Sequence, residues 1–345
     1  MQSSREHLEI VAAFEQSVRE TILTWYQHNA RTFLWREQHG DISQPPDPYI
    51  VLVSEIMLQQ TQTTRVEERL PIFLALFPDI HTLAAADTAT ILKAWEGMGY
   101  NSRALRLRDC ARIIVEQHHG IIPRSVQELQ RLPGIGTYTA AAIAAFAYHE
   151  DVVVLDVNIR RVYSRLLSAM PTTASVACER HIQAFAERIY PRGDSSRWHQ
   201  AVMDLGALCC TARKPQCSIC PLFELCPSAG TMKEQRKRRQ RHEPSYYGIP
   251  NRIWRGRVIQ ILRGLQRSET ITLVQLRTLL LSDYRKKACI SSTDQQSKQF
   301  SDDDVWLLTL LQGLARDNMV DIQCSDTPSD SANDIAQYFV RLCHN

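Results

Sequence analysis

From Phe14 to Leu225 apolar residues recur at helical spacing, in short amphipathic stretches punctuated at Gln44–Pro48, Phe77-Pro78-Asp79, Gly97–Gly99 and Pro133-Gly134. The segment Tyr49–Gln62 reads as one helix carrying Leu52, Val53, Ile56 and Met57. Val152–Leu155 is the one β-branched run, and its four residues suit a short extended link better than a sheet. Between Pro227 and Pro250 the pattern lapses into Ser, Gly, Pro and the basic run Arg236, Lys237, Arg238, Arg239 and Arg241, which predicts a linker. Beyond it, Trp254, Val258, Ile261 and Leu265 mark one helix and Leu273, Leu276 and Leu280 a second. Val305, Leu308, Leu311 and Ala315 mark a third, and strand-like pieces follow at Met319–Ile322 and Tyr338–Leu342. The pattern predicts an all-α core and a small winged-helix-like α+β module.

A length of 345 residues suits two domains or slightly more, and 44% hydrophobic with 22% charged residues excludes a disordered or fibrous chain. No apolar run approaches the roughly 18 residues of a membrane span. Met1–Ile10 is polar, without the apolar stretch of a signal peptide, so a cytoplasmic location is expected, most simply a bacterial cytoplasm or nucleoid. The formal charge of +3 names no partner. Of ten cysteines, five crowd between Cys209 and Cys226, while Cys110, Cys178, Cys289, Cys324 and Cys343 are scattered as small hydrophobes would be. A tight cluster without an export signal reads as a metal or cluster site in a reducing compartment.

Three motifs carry chemistry. Cys210-x6-Cys217-x2-Cys220-x5-Cys226 can enclose a zinc ion or an iron–sulfur cluster, and spacing does not separate the two; neighbouring Cys209 leaves the register open by one residue. Leu132-Pro133-Gly134-Ile135-Gly136-Thr137-Tyr138-Thr139 predicts a helix, a Gly-x-Gly hairpin and a second helix whose bare N–H groups can hold one phosphate; an ordinary turn between packed helices reads equally well. Asp156-Val157-Asn158 enters the predicted helix Ile159–Leu167, where Asp156 is by local reading an N-cap. Glu55 is by the same reading a polar-face carboxylate.

In this order the elements resemble the helix-hairpin-helix DNA glycosylases of the endonuclease III superfamily, and within them the MutY-type adenine glycosylases. The resemblance covers Arg31–Pro227 and rests on Trp35-Arg36, Ser54-Glu55-Ile56-Met57-Leu58-Gln59-Gln60-Thr61-Gln62, Trp95-Glu96-Gly97-Met98-Gly99-Tyr100, the hairpin, Asp156-x-Asn158, Met203-Asp204-Leu205-Gly206-Ala207 and the four cysteines. It implies a two-lobed core. The expected division is N-terminal helices over 1–30, a six-helix barrel lobe over 31–148, an iron–sulfur lobe over 149–228, a basic linker over 229–250 and the C-terminal module over 251–345.

The resemblance also implies roles. Glu55 would be the acid that protonates the leaving adenine and Asp156 the carboxylate that stabilises the cationic sugar, with Tyr138 and Asn158 beside them. Tyr138 stands where bifunctional relatives carry a Schiff-base Lys, which implies a monofunctional glycosylase. Gln60, Thr61 and Tyr100 match positions that wedge the duplex, Arg31, Arg36 and Gln200 positions near the extruded base, and Gly134 and Gly136 the phosphate hairpin. Cys210, Cys217, Cys220 and Cys226 would hold one four-iron four-sulfur cluster, ordering a loop with Arg213 and Lys214 against DNA. The implied substrate is double-stranded DNA with a mismatch or lesion, adenine opposite 8-oxoguanine or guanine, acted on by a monomer. The tail lacks the Nudix-like box typical of the family, though Arg252, Arg255 and Arg257 or Arg285, Lys286 and Lys287 could reach DNA. The alternatives are a thymine or uracil mismatch glycosylase of the same superfamily and a catalytically silent DNA binder.

Overall fold

The structure, a computed structural model, describes residues 2–36, 46–168, 179–231, 243–266, 269–287, 293–324 and 338–343. In chain order the helices are α1 (Gln2–Asn29), α2 (Pro48–Leu58), α3 (Thr63–Leu76), α4 (Ile80–Ala84), α5 (Thr88–Ala94), α6 (Ser102–His118), α7 (Val126–Leu129), α8 (Thr137–Tyr148), α9 (Val157–Leu166), α10 (Glu179–Ile189) and α11 (Ser195–Leu208). A short hairpin, β1 (Ser245–Tyr246) and β2 (Ile249–Pro250), leads into α12 (Asn251–Arg263), β3 (Ile271–Thr272), α13 (Leu273–Lys287), α14 (Thr293–Arg316), β4 (Val320–Cys324) and β5 (Tyr338–Leu342). The protein is mostly α-helical with a small β-containing C-terminal module. Residues 232–242 of the basic linker, with its run from Arg236 to Arg241, and the cysteines Cys178 and Cys289 lie outside the described residues. So do the side chains of Arg285, Lys286, Lys287 and Cys324. Among the described residues no helix is long and apolar enough to cross a membrane.

The chain forms two compact units, each built from two separated stretches: residues 1–56 with 122–239, and residues 57–121 with 240–345. In the first, α1 contributes Val18 and Ile22, and α2 contributes Leu52, Val53 and Ile56, all buried. Helix α8 is a run of alanines around Ile143 and Phe146, buried from Thr139 to Ala147; a helix apolar all round belongs inside a core, and small side chains let neighbours come close. Tyr163 of α9 meets Phe185 of α10 edge-on at 5.2 Å and accepts a 2.9 Å hydrogen bond from Trp198 Nε1 of α11. Val152–Leu155 is an extended link without sheet partners among the described residues, as its length predicts.

In the second unit α3, α5 and α6 pack around Phe73, which meets Trp95 edge-on at 5.8 Å. The C-terminal module gathers α12–α14 against an antiparallel sheet of order β3-β5-β4. Trp306 stacks on Tyr246 at 4.2 Å and meets Trp254 edge-on at 5.3 Å. Three expectations need correction. Helix α2 stops at Leu58 rather than Gln62, because Gln60 takes a left-handed φ of 56° that no helix continues through. The buried stripe of α12 is Trp254, Val258, Ile259 and Leu262, shifted from the predicted one. On α14 Val305 is exposed, while Leu311 is buried as expected and is joined in the core by Leu307, Leu310 and Leu314.

Candidate active site

Glu55 faces inward from α2. The residue is 5% exposed, and its Oε2 has no hydrogen-bond partner among the described residues. Tyr138, in the first turn of α8, donates its hydroxyl to this carboxyl. Burial pushes the Glu55 pKa up to about 7; the Asp156 charge adds to the rise, while the Tyr138 bond and Arg36 hold it down. The Tyr138 hydroxyl is itself held well above its ordinary value by burial and by Glu55, and so remains a donor.

Asp156 is the N-cap of α9, as the local reading has it, and it has a second engagement. Oδ1 accepts from the Ile159 amide at 2.6 Å and Oδ2 from Asn158 Nδ2 at 2.7 Å. Asn158 is fixed in turn by Arg161, whose Nη2 donates to Asn158 Oδ1 at 2.8 Å and to the Gly206 carbonyl at 2.7 Å. The Arg161 Nε reaches the Cys210 carbonyl at 2.8 Å, so one guanidinium joins the Asp156 turn to the cysteine loop. Gly206 of α11 makes room for this: a Cβ there would lie 2.8 Å from Asn158 Cβ. The sequence singled out the Met203–Ala207 motif but missed Arg161, which only a helical projection from Asn158 could have pointed to.

Arg31 and Arg36 gather around Asp204, which is fully buried on α11. Arg36 grips it with two guanidinium nitrogens at 2.8 and 2.9 Å, and Arg31 adds its backbone amide at 2.9 Å and Nε at 2.8 Å. Burial alone would raise the Asp204 pKa, but these cations lower it below the ordinary carboxylate value. One turn earlier, Gln200 Oε1 accepts from the Tyr26 hydroxyl at 3.2 Å. Gly134 turns the hairpin at φ 79°, and Gly136 is the extended N-cap of α8 with open space where a side chain would stand.

Gln60, Thr61 and Tyr100 lie in the second unit. Gln60 and Tyr100 both take left-handed backbone, φ 56° and 46°, a conformation non-glycine residues hold only where their surroundings impose it. Arg103 is what imposes it, and the sequence reading missed it. Buried at the start of α6, it donates from Nη1 to the Met57 carbonyl at 2.9 Å and to the Gln59 carbonyl. From Nη2 it reaches Thr61 Oγ1 at 3.0 Å and the carbonyls of Met98 and Gly99 at 3.0 and 3.2 Å. Its guanidinium also lies over the rings of Trp95 and Tyr100. Burial lowers its pKa to about 10, leaving it charged at neutral pH.

Cys210, Cys217, Cys220 and Cys226 line one small apolar cavity with Cys209, Pro215 and Phe223. Arg165 points Nη1 at Cys210 Sγ from 2.9 Å and bonds the carbonyls of Cys210 and Thr211. Among the described residues no three His, Cys, Asp or Glu side chains converge as a single ion requires. Four thiols lining one cavity form an all-thiolate donor set, which serves iron–sulfur ligation as well as zinc.

Residues 53–188 match the HhH-GPD superfamily of base excision DNA repair proteins, and residues 210–226 match the iron-sulfur binding domain of endonuclease III. The chain is 37% identical over 263 residues to the adenine DNA glycosylase of Mycolicibacterium smegmatis, covering 76% of this chain and 85% of that protein. A thermostable thymine-DNA glycosylase superposes with a TM-score of 0.58 at 26% identity, over 64% of this chain and 99% of the other. Endonuclease III from a non-covalent DNA complex shares the fold, with a TM-score of 0.53 at 20% identity, over 63% and 97%. The chain thus belongs to the HhH-GPD superfamily of base excision DNA repair proteins and, within it, to the adenine DNA glycosylase family, with that family's iron–sulfur binding domain.

Proposed function

We propose that this protein is a monofunctional glycosylase that hydrolyses the N-glycosidic bond of adenine mispaired with 8-oxoguanine or guanine in double-stranded DNA. The observation that carries the reading is Glu55: a buried carboxyl with a pKa of about 7, one oxygen without a partner among the described residues, in the unit that also holds Asp156. Cleavage passes through an oxocarbenium-like state and needs one protonated and one ionised carboxyl. Glu55 is about half protonated at neutral pH and hands its proton to the departing base. Asp156, pinned by Ile159 and Asn158, faces the cationic sugar.

Adenine must leave the stack to meet these groups. In this reading Gln60, Thr61 and Tyr100 occupy the space in the duplex, and Arg31, Arg36 and Gln200 border the extruded base. Gly134 and Gly136 hold a phosphate. Cys210, Cys217, Cys220 and Cys226 would hold one four-iron four-sulfur cluster, which supplies structural order to the Arg213–Lys214 loop rather than a group for hydrolysis. The barrel lobe over 31–148, the cluster lobe over 149–228, the winged-helix-like tail, monomeric action and a cytoplasmic site belong to the same reading.

The 26% identity to a thymine-DNA glycosylase keeps a second substrate in view. Single-turnover base release from duplexes with A opposite 8-oxoguanine, A opposite G, T opposite G and A opposite T decides between them. Release from the first two alone supports the proposal, and release from T opposite G alone replaces it. Visible absorbance of the purified protein, with iron and sulfide content, tests the cluster separately.

A further inference from the structure

Asp156 is reached through the extended link 152–155, which joins no sheet among the described residues. Val154 within it is fully buried, so its backbone N–H is shut off from water and needs an acceptor inside the protein. That acceptor is a side chain. His199 Nε2, on α11, lies 3.2 Å from the Val154 nitrogen. A backbone N–H can only donate, which puts the ring proton on Nδ1, and Nδ1 donates in turn to the Ser195 carbonyl at 2.7 Å. Ser195 completes the clamp, because its hydroxyl donates to the Val152 carbonyl at 2.7 Å. Burial lowers the His199 pKa to about 4, against the raising effect of the Ser195 carbonyl. At neutral pH the ring therefore keeps the bare nitrogen that Val154 needs.

The start of the link is held to the same support. The Tyr190 ring lies 5.6 Å from the His199 ring, and its hydroxyl donates to the Asp151 carbonyl at 3.1 Å. The Asp151 carboxylate accepts from the Gly193 amide at 2.8 and 2.9 Å. On α11 itself, Gly206 follows His199 by about two turns, which places both on one face of the helix. His199 holds the segment that enters Asp156, and Gly206 closes against Asn158 in the segment that leaves it. One helix face thus fixes both sides of the turn that carries the carboxylate. A strand in a sheet is held by its ladder; here side chains of α11 take the ladder's place.

We propose that His199, with Ser195, is a positioning residue for the reaction: its neutral imidazole anchors the link so that the Asp156 carboxylate stands at the reacting sugar. The inference rests on the glycosylase reading, in which Asp156 faces the cationic sugar. His199 touches neither base nor sugar in it and acts only through the backbone of Val154.

The test compares the full-length protein with His199→Leu, which removes the acceptor, His199→Gln, which restores one at comparable reach, and Ser195→Ala. Ile182→Ala, a core truncation on α10 that touches neither bond of the clamp, gives the effect of lost stability alone. Two quantities are read beside the unfolding midpoint. One is single-turnover base release at saturating enzyme. The other is affinity for duplexes carrying a cationic pyrrolidine or a neutral tetrahydrofuran in place of the target nucleotide, since a carboxylate aimed at the sugar prefers the charged ring. His199→Leu is expected to lose about tenfold or more in rate and in the charged-over-neutral preference, while binding of the neutral duplex stays at the wild-type level. His199→Gln should recover most of both, and Ser195→Ala should move both in the direction of His199→Leu but less. Ile182→Ala should lower the midpoint and leave both unchanged. Wild-type rate and preference in folded His199→Leu would overturn the proposal, as would the same result in Ser195→Ala if His199→Leu does not fold. So would an equal loss in His199→Gln and His199→Leu, or an equal loss in Ile182→Ala. If wild type releases no base from any mismatch, the glycosylase reading fails, and the charged-over-neutral ratio still decides whether His199 sets Asp156.

Discussion

Tyr138 donates a hydrogen bond to Glu55, and by stabilising the ionised carboxylate it restrains a pKa that burial drives up to about 7. The proton needed for base departure is therefore present below about pH 7 and lost above it. Single-turnover release should fall along one alkaline limb centred near that pH. Replacing Tyr138 with Phe removes the restraint, so the limb should move to higher pH. A limb that stays put or moves down in Tyr138→Phe would refute this coupling.

The same shift makes a statement about stability. The folded-state pKa of Glu55 lies above the ordinary 4.5, so the folded protein holds this proton more tightly than the unfolded chain does. Stability from this group is complete below about pH 4.5 and is lost as pH rises through 7, at a cost of about 3 kcal/mol. Glu55→Gln should therefore gain stability over wild type as pH is raised from about 5 to about 8.5 in denaturant unfolding. The variant should also lose base release by about a hundredfold or more while still binding duplex. Equal pH dependence in the two proteins would count against a buried, proton-holding Glu55.

Gly206→Ala forces a methyl group into Asn158, the residue that orients Asp156. Because a displacement of about 1 Å at a reacting group can cost about a hundredfold, the single-turnover rate should drop by at least roughly tenfold. Arg161→Gln should act in the same direction, since it releases Asn158 from Gly206. Duplex affinity should change far less than the rate in both. A wild-type rate in folded Gly206→Ala protein would show that the Asn158 position does not matter.

Arg103 ties the Gln59–Thr61 turn to the Met98–Gly99 turn. Lysine brings the charge without the planar fork and cannot reach both turns. Arg103→Lys leaves buried carbonyls without donors and should cost about 3 kcal/mol in urea unfolding. A loss below about 1 kcal/mol would mean that the two turns hold themselves.

Much of this protein was legible along the chain. The presence of α2, α8, α12 and α13, the extended link before Asp156, and the cysteine spacing are local patterns, and local chemistry fixes them, though not the end of α2 or the buried stripe of α12. Asp156 shows where local reasoning stops. Its capping bond to Ile159 follows from its place before a helix, whereas the line from Asn158 through Arg161 to Cys210 joins segments far apart in the chain. Glu55 looked like an ordinary helical carboxylate. Only burial, with the Asp156 charge adding to it, turned it into a group that keeps its proton near neutral pH, against the opposing pull of Tyr138 and Arg36. The end of α2 at Leu58 had the same kind of cause, because Arg103 takes the carbonyls of Met57 and Gln59 from a distant helix. Sequence by itself determined which residue types were available and which helices would form. Tertiary structure decided which side chains lost water, and with it their charge and partners, because burial depends on neighbours that no local window contains.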